Sequence, residues 1–411
     1  MIRAGQARPA ILFVHDHYPG QFGALAAHLH RRGWSVRFAT ADRHAPSHAP
    51  WPVLRYAPHR SPHGATHPYV QGAERAALQG QACIRALMAA DLPAPDIIVS
   101  HTGPGAGQYL RHIYPRSHIV AYCEWWYRAD GPDIRHADHC NGETAQVHPE
   151  AGILREVRNA PIATEIANAD RALSPTRFQA TQFPGAFRDR MTVRHDGVDT
   201  TFFAPSHVPP RTPPALGQVP RSAPLLTYAT RGMEPYRCFP EVIEAFRILL
   251  DRHPSWYAAI IGENRVFYGS EKDRQTDWQT WAEERLGPLR ERVCFTGFLQ
   301  KEAFRDALRR SNAHVYASVP FVLSWSLIEA MALGVPLVAS ATPPVLEIVD
   351  GKLAKLCAPD DPESIARAIE DVVLHPDDAK ARGQRARQHA LDRYSHERLL
   401  PEHEAWLLCG A

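Results

Sequence analysis

The chain has 411 residues, a formal net charge of +2, 45% apolar and 22% charged residues. That length suits two domains, the composition suits a folded globular protein, and the near-neutral charge excludes a dedicated nucleic-acid binder, which needs a basic excess against phosphates. Seven scattered cysteines without a Cys-x-x-Cys exclude a disulfide framework or a four-cysteine zinc site and fit a reducing cytosol.

The apolar run AILFVHD (10–16) stops at His15, Asp16 and His17, so it reads as a first strand and not as a signal peptide. FGALAAHLHRRG (22–33) predicts a helix ending at Gly33, and WSVRFAT (34–40) the next strand. PDIIVSH (95–101), SHIVAYC (117–123), NADRALS (168–174) and RMTVRHD (190–196) follow as strand-length runs. The Pro-rich stretch 206–224 reads as a linker between domains. The alternation then restarts with a strand at 223–230, a helix at 239–254 and a strand at 255–263. Further strands are expected at 292–298, 312–318 and 335–340. Continuous apolar strands between helices predict parallel sheets covered on both faces. The expected architecture is α/β, with an N-terminal domain at 1–205, a linker at 206–224 and a second domain at 225–386. The segment 387–411 carries helical periodicity and is expected to pack back on the first half. No apolar stretch reaches membrane-spanning length, so a cytoplasmic location is expected, with peripheral contact at the inner face of a membrane left open.

Open parallel sheets bind ligands at the carboxyl ends of their strands, and two such sheets facing a cleft would place the chemistry there. In TYATRGMEPYRCFPEVIEAF (227–246), Arg231 and Arg237 stand six residues apart between a strand and a helix. Two arginines there can grip a diphosphate through bidentate bonds, or they are solvated loop cations. In SVPFVLSWSLIEAMALGVPLVAS (318–340), Ser324 and Ser326 are N-cap candidates at a helix start, where free N–H groups attract anions. Glu329 follows Ser326 at capping-box spacing, so it is either a structural cap or an acceptor for ribose hydroxyls.

Arg231, Arg237 and the later Glu-Ala-Met-Ala-x-Gly-x-Pro resemble the donor half of family 4 (group 1) retaining glycosyltransferases with the GT-B fold, two Rossmann-like domains with parallel sheets facing an interdomain cleft. The resemblance covers nearly the whole chain and is most specific in its C-terminal half. It implies that Arg231 and Arg237, the latter in place of a lysine, bind the donor diphosphate, that Glu329 binds the ribose, and that Gly262 and Phe295–Gly297, including Thr296, lie near the base. HDGVDTTFF (195–203) resembles the family's segment between domains, with Asp196 in place of Asn. Eight positions before the ribose glutamate the family carries a second glutamate aimed at the sugar; here that position is Phe321. The resemblance then leaves the stretch Phe321, Leu323, Ser324, Trp325, Ser326 and Leu327 to supply donor contacts, with backbone N–H groups at 324–327.

Pro19, Gly20 and Gln21 lie between the first strand and helix and resemble the family's first glycine loop, a donor contact. His101 and Glu124 stand at the exits of later strands, as catalytic contacts to the acceptor or reacting sugar, or as hydrogen-bonded loop residues. Trp125, Trp126 and Tyr127 would stack on sugars or close the core. His136, Asp138, His139 and Cys140 crowd one loop but lack a distant partner motif, which reads as a polar loop more readily than a metal site. No Asp-x-Asp occurs, so no metal or other cofactor is expected, and arginines take over the charge of the leaving diphosphate.

The resemblance implies transfer of a hexosyl unit from a nucleotide-sugar donor, UDP or GDP form undetermined, to a hydroxyl of a saccharide or lipid-linked saccharide acceptor, in cell-surface polysaccharide or glycoconjugate synthesis. The alternatives are another GT-B enzyme, an epimerase or a phosphorylase, or an inactive sugar- or nucleotide-binding relative. A pyridoxal-dependent phosphorylase would need a lysine, and only five occur in the chain.

Overall fold

Every residue from Ile11 to Val14 is buried. Leu12 and Val14 pack with Ile98, Ile119 and Ala172 on one face of a sheet, while Ile11 and Phe13 pack with Ile97, Val120 and Leu173 on the other. Alternate side chains of a strand point to opposite faces, so a strand apolar at each position needs cover on both sides. The computed structural model describes residues 8–46, 48–134, 149–206, 208, 210–269 and 271–409. The chain divides into two units. The first takes the described residues up to Gly131, those from 149 to Asp196, and those from His396 onward. The second takes Pro132–Ile134 and Gly197–Ser395.

The first unit carries a parallel seven-stranded sheet in the order β3-β2-β1-β4-β5-β6-β7. Its strands are β1 (Ala10–Val14), β2 (Ser35–Thr40), β3 (Val53–Arg55), β4 (Ile97–His101), β5 (His118–Tyr122), β6 (Arg171–Ser174) and β7 (Met191–Val193). The second unit carries a parallel six-stranded sheet in the order β10-β9-β8-β11-β12-β13. Here the strands are β8 (Leu225–Gly232), β9 (Tyr257–Glu263), β10 (Val293–Gly297), β11 (Ala313–Tyr316), β12 (Leu337–Ser340) and β13 (Lys355–Cys357). Both are the Rossmann order, in which the chain switches direction between the first and fourth strands. The switch points are the exits of β1 and β4 in one unit, and of β8 and β11 in the other. The three-residue edge strands β3 and β13 lie outside the strands read from sequence; each is too short to show a period.

Two boundaries differ from expectation. The unit boundary falls between Asp196 and Gly197, ahead of the Pro-rich stretch. That stretch belongs to the second unit, where Leu216 and Val219 are buried against Leu225, Ala259 and Cys294. Proline removes periodicity but not apolar surface, so a sequence that reads as linker can still pack. At the C-terminus the helical period is broken at Ser395. The helix Pro376–Tyr394 stays in the second unit, and the helix His396–Leu408 packs in the first. There Trp34 Nε1 donates to Glu404 Oε1 at 3.1 Å, and Arg171 Nη1 donates to the Trp406 carbonyl at 2.8 Å. Among the described residues no helix is long and apolar enough to cross a membrane.

Candidate functional site

In the second unit Arg231, Arg237 and the serine turn lie at the switch point. Strand β8 ends in a bulge, a single 3-10 turn, Pro235–Arg237, and left-handed Cys238 before the helix Phe239–Arg252. This turn aims Arg237 at the exit of β11, where Nη1 donates to Ser318 Oγ at 3.0 Å and to the Val322 carbonyl at 3.1 Å. Arg231 is exposed, and its guanidinium lies 4.0 Å over the Phe267 ring. Among the described residues neither arginine forms an ion pair and Arg231 forms no hydrogen bond. Stacking orients an arginine without using its five N–H donors, which leaves them for an oxyanion.

The helix Trp325–Leu333 begins at the same switch point. Its N-cap is Ser324, whose Oγ accepts from Ser326 N, and Gly334 closes it in the left-handed region at φ +67°. Ser326 is therefore inside the helix, and Glu329 is two turn positions too late for a capping box with the true cap. Glu329 makes no hydrogen bond or ion pair among the described residues. Burial pushes its carboxyl up to about 7, with Lys301 pulling the other way. A half-buried carboxylate without a donor is an acceptor in want of hydroxyls.

The serine turn is partly engaged already. Ser324 N donates to Tyr316 Oη at 2.9 Å, Ser326 N to Ser324 Oγ at 3.4 Å and Leu327 N to the Ser324 carbonyl at 3.4 Å. The last two are long and weak. Leu323 and Leu327 have buried side chains, whereas Trp325 is 38% exposed. Phe321 is 3% exposed and stands edge-on to Tyr236 at 5.1 Å and to Tyr268 at 4.9 Å. An aromatic cluster, not an acidic side chain, thus occupies this position.

Gly262, next to last in β9, has φ +149°, and a Cβ there would fall 2.2 Å from the Thr230 carbonyl oxygen. Only glycine lets the exits of β8 and β9 approach so closely. Phe295 and Thr296 end β10, two strands from the switch. Arg290 lies 5.0 Å over the Phe295 ring, and Thr296 Oγ1 donates to the Gly297 carbonyl at 2.9 Å. No hydrogen bond or ring contact among the described residues joins these two to the arginines or Glu329.

In the first unit a hydrogen-bonded chain connects the exits of β1, β4 and β5. His17 N donates to His15 Nδ1 at 2.9 Å, which leaves the ring proton on Nε2. Nε2 donates to Gln21 Oε1 at 2.7 Å. The Gln21 amide then donates to Glu124 Oε1 at 2.5 Å, and Glu124 Oε2 lies 3.3 Å from His101 Nε2. Gly20, at φ +52°, makes this possible: a Cβ would lie 2.7 Å from the His15 ring. Burial pulls the His101 imidazole down, but the Glu124 carboxylate, with Glu165 and Asp16 beyond it, outweighs burial and holds it above its ordinary value. Glu165 is buried, pushed up to about 8 by desolvation, and accepts from Gly103 N at 2.7 Å and Gly107 N at 3.0 Å, fixing the loop after His101. Trp125 is buried, Trp126 packs on Phe183 and Phe187, and Arg158 covers the Tyr127 ring at 3.7 Å. These three rings serve packing. The Tyr122 hydroxyl donates to the Asp196 carboxylate, whose two oxygens lie 2.9 and 2.8 Å away.

His15, Glu165, Glu234 and Phe267 do not stand out in the sequence as site residues. Glu165 left one trace, a carboxylate between Ile162 and Ile166 on the buried face of the helix Asn159–Asn168. His136, Asp138, His139 and Cys140 lie outside the described residues. Among the described residues no group of three or more His, Cys, Asp or Glu side chains is set to hold a metal ion.

Two Rossmann-ordered parallel sheets, each with its polar residues at the switch point, define the GT-B class. A family model described as glycosyl transferase family 4 group matches residues 32–203, and one described as glycosyl transferases group 1 matches residues 224–389. The chain belongs to the family 4, group 1 glycosyltransferases. Glycogen synthase from Mycobacterium tuberculosis is 28% identical over 211 residues, 51% of this chain and 46% of that protein, so this chain matches under half the length of its curated relatives. Among solved structures, sucrose-phosphate synthase from Thermosynechococcus elongatus has a TM-score of 0.70 at 17% identity, covering 97% of this chain and 98% of its own. HepE from Anabaena, in complex with UDP and glucose, has a TM-score of 0.70 at 16% identity, covering 98% and 100%. Likenesses at such identity speak for the fold.

Proposed function

We propose that this protein moves a sugar from a nucleotide-sugar donor to an acceptor hydroxyl with retention of anomeric configuration and without a metal. The carrying observation is the pair Arg231 and Arg237 at the switch point of the second unit, one stacked on Phe267 and one bonded to Ser318, and neither in an ion pair among the described residues. They neutralise charge growing on the departing diphosphate, where preorganised donors act most strongly. Glu329 accepts from the ribose hydroxyls. The long N–H bonds at Ser326 and Leu327 exchange for phosphate oxygens at small cost. The departing phosphate oxygen takes the proton of the attacking hydroxyl on the same face, so no separate base is drawn. His101, paired with Glu124, contacts the reacting sugar or acceptor, and Gly20 with Gln21 lines the donor. Gly262, Phe295 and Thr296 flank the base. The acceptor class is a saccharide or lipid-linked saccharide of the cell surface.

Calorimetric titration with UDP, GDP and ADP tests the donor half. HepE was solved with UDP, which makes UDP the first probe. One diphosphate binds, and Arg231→Ala and Arg237→Ala each weaken it at least tenfold, the worth of one charge-assisted contact, about 1.4 kcal/mol or more. Binding unchanged in both variants sinks the assignment. Phe321 favours a second reading, a nucleotide-binding relative without transfer. Release of diphosphate from a bound nucleotide-sugar in the presence of acceptor separates the two.

A further inference from the structure

Glu234 is 1% exposed, yet it bears a carboxylate. Its Oε2 accepts from Phe267 N at 2.6 Å and from Tyr268 N at 2.8 Å. Its backbone carbonyl accepts from Arg237 N at 3.1 Å and Phe239 N at 3.4 Å, and so closes the turn that carries Arg237. The segment after β9 is fastened to the exit of β8 at two further points. Met233 N donates to the Glu263 carbonyl at 3.1 Å, and a Cβ on Gly232 would lie 2.1 Å from the Arg265 carbonyl oxygen. A buried acid gripping two adjacent N–H groups leaves that loop no other low-energy position, because moving it would strand the carboxylate. The loop so fixed presents the Phe267 ring on which the Arg231 guanidinium rests, and the Tyr268 ring that packs on Phe321.

We infer that Glu234 is a positioning residue of the diphosphate site: its carboxylate sets Phe267 beneath Arg231, while its backbone carbonyl sets the turn of Arg237. One residue thereby fixes the separation and direction of both cations. The carboxylate also balances part of their mutual repulsion and, among the described residues, pairs with neither, so it takes up none of their N–H donors. The inference rests on the proposed donor site.

The test uses UDP in calorimetric titrations, with GDP and ADP alongside, on the full chain and four variants: Glu234→Gln, Phe267→Leu, Arg231→Ala, and Glu234→Gln with Arg231→Ala. Glu234→Gln keeps the shape and removes the charged grip; Phe267→Leu keeps apolar packing and removes the ring, so it carries the test should the first variant not fold. Each weakens UDP about tenfold, the scale of a lost cation–π or charge-assisted contact. In the Arg231→Ala background Glu234→Gln weakens UDP no further, because it acts through Arg231. Equal losses in both backgrounds point to a merely structural role and overturn the inference. Unchanged UDP binding in both Glu234→Gln and Phe267→Leu, with Arg231→Ala still weak, overturns the positioning role alone. A wild type that binds none of the three diphosphates overturns the donor site, and this inference with it.

Discussion

Gln21 Nε2 donates to Glu124 Oε1 at 2.5 Å across 103 residues of sequence, and so ties the exit of β1 to the exit of β5. The bond has one direction, because His15 already donates to the other end of the same amide. Glu124 therefore faces His101 as a carboxylate, and holds it above the ordinary 6.5. A histidine with a raised folded-state value adds stability that is present below its unfolded value and lost as pH rises through the folded one. In Glu124→Gln burial prevails, His101 titrates below 6.5, and that stability at low pH disappears. NMR titration of His101 reads the change directly; a wild-type value at or below 6.5 would refute the pairing.

Glu329 carries the opposite sign. Its carboxyl moves from 4.5 to about 7, so the folded state holds its proton more tightly than the unfolded one. Stability then falls as pH rises from about 4.5 to about 7, by at most about 3 kcal/mol and by less after screening of this half-buried group. Glu329→Gln removes the loss: the variant melts higher than wild type at pH 8, while its nucleotide binding weakens. A variant no more stable at pH 8 would show that the carboxylate is not strained.

Gly262→Ala sets a methyl 2.2 Å from the Thr230 carbonyl oxygen at a backbone φ of +149°. The strain and the clash together cost about 2–4 kcal/mol. Gly20→Ala meets the buried, hydrogen-bonded His15 ring, 2.7 Å distant at φ +52°, a side chain that shifts at less cost than a backbone carbonyl, and costs about 1–2 kcal/mol. Urea denaturation ranks the two; Gly20→Ala equal to or worse than Gly262→Ala contradicts the geometry.

Glu404 holds the last helix to the first unit through Trp34, His28 and Arg32. Burial raises its carboxyl, but bonds from Trp34 and His28 outweigh this and leave it below its ordinary value, so its contribution is present above 4.5 and lost as pH falls. Glu404→Ala leaves a buried indole N–H unpaired and costs about 2–4 kcal/mol. Hydrogen exchange over 396–408 should quicken in this variant; unchanged protection would locate the anchor elsewhere.

Much of the proposed donor site was legible because its signals are local. Arg231 at the end of β8 and Arg237 in the turn after it stand six residues apart, and Glu329 shares a helix with the serine cap, so spacing brought them to notice. What stayed hidden is what arrives from elsewhere in the chain. Phe267 shows its role only once Glu234 folds its loop beneath Arg231, and the apolar period in 387–409 gave no sign of the break at Ser395.

By itself the sequence determined the two parallel-sheet halves, since unbroken apolar strands must be covered on both faces, and it marked the residues at their exits. Only the tertiary structure decided which of those residues touch. It buried Phe321 among tyrosines, gave Glu329 no donor among the described residues, and put Leu216 of the Pro-rich stretch into the second core. Hydrogen-bond partners and burial depend on where distant strands end in space, and strand order, not residue spacing, sets that.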